Sequence, residues 1–352
     1  MLLTLHAESL ADKLKPEKGR PELSLLDLPA FVRETLDLHG LHMTTRVLQG
    51  ATRKDLESLR DASDKARCAC LVLADPDALE FAHESDSVGD AAVDRTLRVM
   101  QAGQFLGCSS ISVAIDAPDN EDSFDFAIDR LKRVADTAER AEINVLLAPR
   151  PGLTAEPERI TELIKKIGGF RIGTMPDFLD AAAQEDPDQY LRRVVPYASA
   201  VVASTLEFTE SQGVSIADRG PDHEPDHGEE PETAATESES PPAEPPSPAA
   251  EDGDGRAEGD AGGADAGPSN AEAEGADALA ELLEGVLGSV DDEEDEEDPP
   301  PTHEGFDIPP MVAALKSVGF DGTLAVRYRG AKQDTIGVDQ GRRALEHAIR
   351  NA

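Results

Sequence analysis

INVLLAPRPGLTAEPERITELIKKIGGFRIGTMPDF, residues 143–178, carries two periodicities in one unbroken stretch. Ile143–Pro149 is a short apolar run closed by Pro and Gly, the pattern of a buried strand. A helix-like run follows and ends near Ile167, where Gly168-Gly169 supply a stop. Phe170 to Asp177 then reads as a second strand. Two buried strands joined by a helix require a crossover connection, and hence a parallel sheet.

The same alternation extends in both directions. Downstream come a helix over Pro187–Val194, a strand over Ala198–Thr205 and, after a long interruption, a helix over Pro309–Val318. A last strand, Gly322–Tyr328, and a terminal helix from about Ile336 complete the chain. Upstream, strands are expected at 2–7, Gly40–Leu48, Ala69–Ala74 and Ser110–Ile115. Helices are expected at Leu23–Leu36, Lys54–Lys65, about Ala91–Leu106 and Ser123–Ala138. Eight strand–helix pairs in about 256 of the 352 residues match a (β/α)₈ TIM barrel, which needs ~250. An open doubly wound sheet usually has fewer strands.

The interruption has a different chemistry. Residues 209–304 hold 31 Asp or Glu against two bases, Arg219 and Arg256, and a run of eight acids spans Asp291–Asp298. Of the chain's 72 acids and 33 bases, 41 and 31 therefore remain for the rest, so the formal net charge of −39 is concentrated in one segment. Such a stretch cannot bury enough apolar surface to offset its ordering entropy and is expected to be disordered. The expected organisation is barrel strands one to seven in 1–208, a disordered acidic insert in 209–304, and helix seven, strand eight and helix eight in 305–352. The insert falls in the β7–α7 loop, on the face where a barrel keeps its active site. One island, near 277–290, has Leu279, Leu282, Leu283, Val286, Leu287 and Val290 at amphipathic-helix spacing. It reads either as a transient helix or as a docking segment for a protein partner.

Composition excludes several classes. A chain this acidic lacks the Lys and Arg that neutralise phosphates in nucleic-acid binding. No apolar run reaches the ~18 residues of a membrane span. Three cysteines, an odd number, argue against a disulfide framework and for a reducing compartment, so a cytoplasmic location is expected. Cys68 and Cys70 read as packing residues. The His223-Glu-Pro-Asp-His227 segment fits a zinc-protease pattern, but that pattern works only on a helix and Pro225 lies inside it. The acidic run lacks the spaced ligands of a calcium loop.

LLAPRPGLTAEPERITELIKKIGGFRIGTMPDF (Leu146–Phe178) resembles the xylose isomerase-like barrels, the sugar phosphate isomerase/epimerase family. The similarity continues through DPDQYLRRVVPYASAVVAS (Asp186–Ser204), FDIPPMVAALKSVGFDGTLAVRYRG (Phe306–Gly330) and, earlier, LSLLDLPAFVRETLDLHGLHM (Leu23–Met43). The resemblance implies a barrel whose metal-dependent members hold a divalent cation between Glu, Asp, His and Glu at the last four strand ends. On this chain those positions fall on Ala148, Asp177, Val202 and Arg327. One carboxylate facing a guanidinium, which has no lone pair to give, does not hold a divalent ion. Neither a metal nor another cofactor is expected.

What replaces the ligands defines the candidate site. Period-2 alternation points Arg327 and Arg329 the same way, Arg150 follows strand five, and Arg46 lies beyond His42 toward the end of strand two. These arginines read either as a cationic mouth for a phosphate or carboxylate of a small anionic ligand, or as one buried Asp177–Arg327 pair with the others solvated. Asp177 and His42 are the candidates for proton transfer. Two functions stay open: a divergent sugar phosphate isomerase or epimerase without metal chemistry, and a non-catalytic barrel serving as an interaction scaffold through its insert.

Overall fold

The computed structural model describes residues 1–17, 20–209, 300–331 and 335–352. Of the insert expected to be disordered, residues 210–299 lie outside them, with the Leu279–Val290 helix and the His223–His227 segment; its ends, Thr209 and Pro300–Glu304, are described, and Thr209, Thr302 and His303 are ordered in strand pairs. Eight strands form the sheet: β1 (Leu2–His6), β2 (Gly40–Thr44), β3 (Ala69–Leu79), β4 (Ser110–Ile115), β5 (Asn144–Ala148), β6 (Ile172–Thr174), β7 (Ala200–Thr205) and β8 (Thr323–Tyr328). β1 to β6 are neighbours in chain order, and β8 sits between β1 and β7. Every pairing in this sheet is parallel. The ring closes between β6 and β7 through the bridges Thr174–Ala198 and Asp177–Val202. There the Val202 N–H donates to the Pro176 carbonyl at 2.9 Å. The chain is a (β/α)₈ barrel.

Closure depends on one small residue. A Cβ on Gly173 would collide with the Tyr197 carbonyl oxygen, so only glycine lets the segment before β7 approach β6. β6 is also shorter than the expected Phe170–Asp177, because Phe170 is 98% exposed and has no partner strand to cover it. β3 runs past the expected end at Ala74: after a register shift Ala78 and Leu79 resume pairing with Ala114 and Ile115 of β4.

Among the described residues, eight longer helices, one between or after successive strands, are α1 (Leu28–Glu34), α2 (Arg53–Ala66), α3 (Asp86–Leu106), α4 (Glu121–Ala141), α5 (Pro157–Ile167), α6 (Pro187–Val194), α7 (Ile308–Ser317) and α8 (Thr335–Asn351), and two short ones span Ala11–Leu14 and Phe178–Ala182. α2 starts in a reciprocal cap. Thr52 accepts from the Asp55 N–H and its own N–H donates to the Asp55 carboxylate at 2.8 Å. No helix of the described residues is long and apolar enough to cross a membrane.

Alternation along the strands builds two layers. Leu5, Leu41, Met43, Ile111, Val113, Val145, Leu147, Val201 and Val326 face the helices in one large buried cluster. Val72, Ala74, Leu146, Met175, Ala200 and Val202 form a separate cluster inside the barrel. The rest of the lumen is polar: Thr4, His6, His42, Thr44, Ser110, Ser112 and Ser204 are all buried. Cys68, Cys70 and Cys108 are free and buried. Burial pushes the thiols of Cys68 and Cys70 up to about 12 and about 11, so they pack as small apolar groups and not as nucleophiles.

A short antiparallel ribbon pairs Phe208 with His303 and Thr209 with Thr302. The chain thus leaves the barrel after β7 and rejoins it before α7 at adjacent points. His303 fastens this stem: its Nε2 accepts from the Leu206 N–H at 2.8 Å and Nδ1–H donates to the Phe306 carbonyl at 3.0 Å. That pair of bonds requires the neutral ring, and burial lowers its pKa.

Candidate functional site

Strand ends deliver the site. His6 ends β1 and Glu8 follows it by two residues, so both face the lumen. Asp75 lies in β3, Ala148 ends β5, Asp177 follows β6, Val202 lies in β7, and Arg327 and Arg329 close β8. Together with Arg150 and Asp180 they line one cavity of about 70 Å³ at the C-terminal mouth. The four positions assigned from the resemblance, Ala148, Asp177, Val202 and Arg327, thus converge on one space. The space is small beside the ~300–1,000 Å³ of ordinary ligand pockets.

Arg327 fills the centre. Its Nη2 donates to Glu8 Oε2 in a short ion pair, and Nη1 stands 3.8 Å from Asp177 Oδ2. The three side chains are 22%, 14% and 13% exposed, so the pairing is shielded from bulk water. Asp177 is held from two further sides. The Ser204 hydroxyl donates to Oδ2 at 2.6 Å, and the Leu179 N–H donates to Oδ1 at 3.0 Å, where Asp177 caps the turn Phe178–Ala182. Burial raises the pKa of Asp177, opposed by those two hydrogen bonds and by Arg327 and Arg329. Asp180 is raised by burial and by the neighbouring Asp177.

Two histidines stand side by side at the base, His6 and His42 being register partners on β1 and β2. His42 does not line the cavity. It is fully buried, and Nε2 meets Thr323 Oγ1 at 3.1 Å. Burial lowers its pKa to about 3. His6 is lowered well below the usual range by burial, then by Arg327 and by His42. Both rings are therefore neutral. The Nδ1 atoms of both, Glu8 Oε1 and Arg327 Nε are buried without a hydrogen-bond partner among the described residues.

Arg150 and Arg329 line the cavity at its rim and are exposed, with no ion pair among the described residues. Arg46 requires a correction. β2 ends at Thr44, where Leu48 N–H bonds back to the Thr44 carbonyl at 3.2 Å, so strand alternation stops and the turn carries Arg46 away from the mouth. It pairs there with Asp77 at 2.7 Å.

Glu8, His6, Asp75 and Asp180 escaped the sequence reading. Glu8 was accessible to the rule that pointed Arg329 inward: counting by two from His6 reaches it. Asp75 follows an apolar strand run directly. It is fully buried and accepts from Thr45 Oγ1 at 2.8 Å and from Arg95 Nε at 2.7 Å.

The profile of the xylose isomerase-like TIM barrel family matches residues 36–231. The chain belongs to that family. Its barrel superposes on a solved IOLI protein with a bound zinc atom at a TM-score of 0.59, with 11% identity, covering 100% of this chain and 99% of that one. A D-psicose 3-epimerase with D-tagatose, from Clostridium cellulolyticum H10, gives 0.58 with 10% identity over 100% and 99%. A D-tagatose 3-epimerase-like protein gives 0.58 with 12% identity over 100% and 98%. At these identities the likeness is one of fold. No curated protein matches the chain.

The resemblance implies a divalent ion held at Ala148, Asp177, Val202 and Arg327. Ala148 and Val202 offer no donor atom, and Arg327 brings a fixed positive charge to the point where the four positions meet. Among the described residues no three His, Cys, Asp or Glu side chains come together closely enough to hold a metal ion. The residues present do not fit the ion.

Proposed function

We propose that this barrel keeps the position of the family's sugar site, without its divalent-metal chemistry, and binds a small anionic sugar or sugar phosphate at the mouth. One observation carries the reading: Arg327 lies between Glu8 and Asp177, where a cation's ligands would meet. With Arg327 neutralised by two carboxylates, the cations left for a ligand are Arg150 and Arg329. A phosphate seated on them matches the fork geometry of guanidinium groups. The sugar then rests on the outer side of the Arg327 cluster, whose ion pairs fill the centre.

If the site turns over its ligand, Asp177 is the proton-transfer group. Burial already lifts its pKa toward the range of a working acid or base, and it lines the cavity. His42 supports from below, neutral and bonded to Thr323, and has no face toward the ligand.

Thermal shift against a panel of phosphorylated sugars tests binding, since a ligand at 100 times its Kd adds about 2.7 kcal/mol. The signal should vanish in Arg150→Ala/Arg329→Ala and survive exhaustive chelation. A stoichiometric Mn, Mg, Zn or Co in the purified protein, removed together with the binding, overturns the metal-free reading. Loss of turnover in Asp177→Ala identifies an enzyme.

The small mouth favours a second reading, a non-catalytic barrel that acts as a scaffold through its acidic insert. A flat response to every sugar and sugar phosphate selects it.

A further inference from the structure

A second cavity, about 660 Å³, lies off the barrel axis against α2 and α3. Strand alternation separates it from the mouth. Thr44 and Ala74 face the lumen, whereas their neighbours Thr45 and Leu73 face this groove, and the two cavities share no lining residue. Its volume falls within the ~300–1,000 Å³ of small-molecule sites.

The groove has an apolar floor and a cationic rim. Leu56, Leu73 and Val99 form the floor and are 7%, 0% and 3% exposed. Arg46, Arg95 and Arg98 stand along the rim with a single acid, Asp77. In a chain of formal net charge −39 this is a concentration of the minority sign. Arg46 is neutralised by Asp77. Arg98 is exposed and makes no ion pair or hydrogen bond among the described residues. Arg95 is pre-positioned. The fully buried Asp75 takes its Nε at 2.7 Å and its Nη2 at 3.3 Å, which leaves Nη1 free of Asp75 and 41% of the side chain exposed.

A guanidinium clamped on one edge by a buried carboxylate has lost most of its rotamer freedom, so binding an anion on its other edge orders little more. An unpaired arginine on the same helix, three residues away, adds a second fork on the same side. An inorganic anion would use the rim alone. The half-buried Ala51 and Ala102 above the buried floor give apolar surface on which the body of an organic anion can rest.

We propose that this groove is a second ligand site, for a small organic anion whose phosphate or carboxylate sits on Arg95 and Arg98 and whose apolar body rests on Ala51 and Ala102, over the buried Leu56, Leu73 and Val99. The site is independent of the reading given to the mouth.

Titration calorimetry of the full chain with phenyl phosphate tests it, with inorganic phosphate and benzyl alcohol as the head-only and body-only probes. Phenyl phosphate should bind saturably, and both partial probes should bind at least about tenfold more weakly. Arg98→Ala, a change at an exposed position, should weaken phenyl phosphate by about tenfold or more. Ala102→Phe, which fills the groove from α3, should abolish binding. Arg329→Ala at the mouth should leave it unchanged. No saturation by about 10 mM phenyl phosphate overturns the proposal. So does equal affinity for inorganic phosphate. Binding that Arg329→Ala removes and Arg98→Ala spares belongs to the mouth and overturns it too.

Discussion

Arg327 and Glu8 join the last strand to the first: a guanidinium from β8 pairs with a carboxylate two residues beyond β1, across the seam where the two strands run in register. The ion pair therefore sits at the barrel mouth and also ties the chain-distant first and last strands together. Its removal has consequences for stability that can be measured apart from any function.

Arg327→Met leaves Glu8 and Asp177 partly buried without their cation. Breaking one side of a buried pair costs about 3–5 kcal/mol, and the residual exposure here lowers the expectation to about 2–3. Urea unfolding at neutral pH reads the loss. Glu8→Gln/Arg327→Met should recover part of it, and a loss below about 0.5 kcal/mol would show that the pair contributes only geometry.

Ser204→Ala removes the hydroxyl that donates to Asp177 at 2.6 Å. The carboxylate loses a hydrogen bond that favours its charged form, so its pKa should rise further. Carboxyl carbon NMR titration of wild type and variant gives the comparison. An unchanged midpoint would mean that Ser204 contributes nothing to the state of Asp177. The stability cost is expected near 1–2 kcal/mol.

Acid should destabilise the barrel before the carboxylates titrate. The folded pKa of His42 is depressed from 6.5 to about 3 and that of His6 also lies well below its ordinary value. Groups with depressed folded pKa values leave the unfolded chain binding more protons, so stability is full above pH ~6.5 and declines as pH falls toward 3. His42 alone accounts for something on the order of 4–5 kcal/mol over that window. Denaturation midpoints at stepped pH should fall steeply, and His42→Gln should flatten the slope. An identical slope in wild type and variant argues that the ring is hydrated in solution.

Gly173→Ala should oppose closure between β6 and β7, since the added Cβ meets the Tyr197 carbonyl. Backbone cannot yield as a side chain does, so a cost of about 2–4 kcal/mol is expected by thermal or urea unfolding. Gly319→Ala, which has open space around its added Cβ, is the comparison. Its positive φ of 73° adds about 1 kcal/mol of strain for a non-glycine residue. Equal costs at the two sites would show that backbone crowding at Gly173 is relieved by adjustment.

The alternation of short apolar strands with amphipathic helices made the barrel legible, because burial on both faces leaves nearly continuous apolar runs in parallel strands. Ser110–Ile115 and Pro187–Val194 sit where that pattern placed them. Strand ends were less legible: Arg46 was carried off by a turn whose onset no apolar pattern marks, and β3 outran its apolar run by pairing through a register shift. At the site, counting by two predicted that Arg327 and Arg329 face the same space, and both do. The family resemblance located the positions of Ala148, Asp177 and Val202, which line that space too.

Partners were another matter. That Arg327 pairs first with Glu8, 319 residues away in sequence, and only at longer range with Asp177, follows from which strands meet at the barrel seam. The same holds for Asp75 and Arg95 across the β3–α3 wall, and for the neutral state of His6 and His42, which comes from lumen burial. Local periodicity fixes which way a side chain points, so sequence alone determined the barrel and the arginines at its mouth. What a charge meets once it points inward depends on non-local closure and desolvation, and only the tertiary structure decided that.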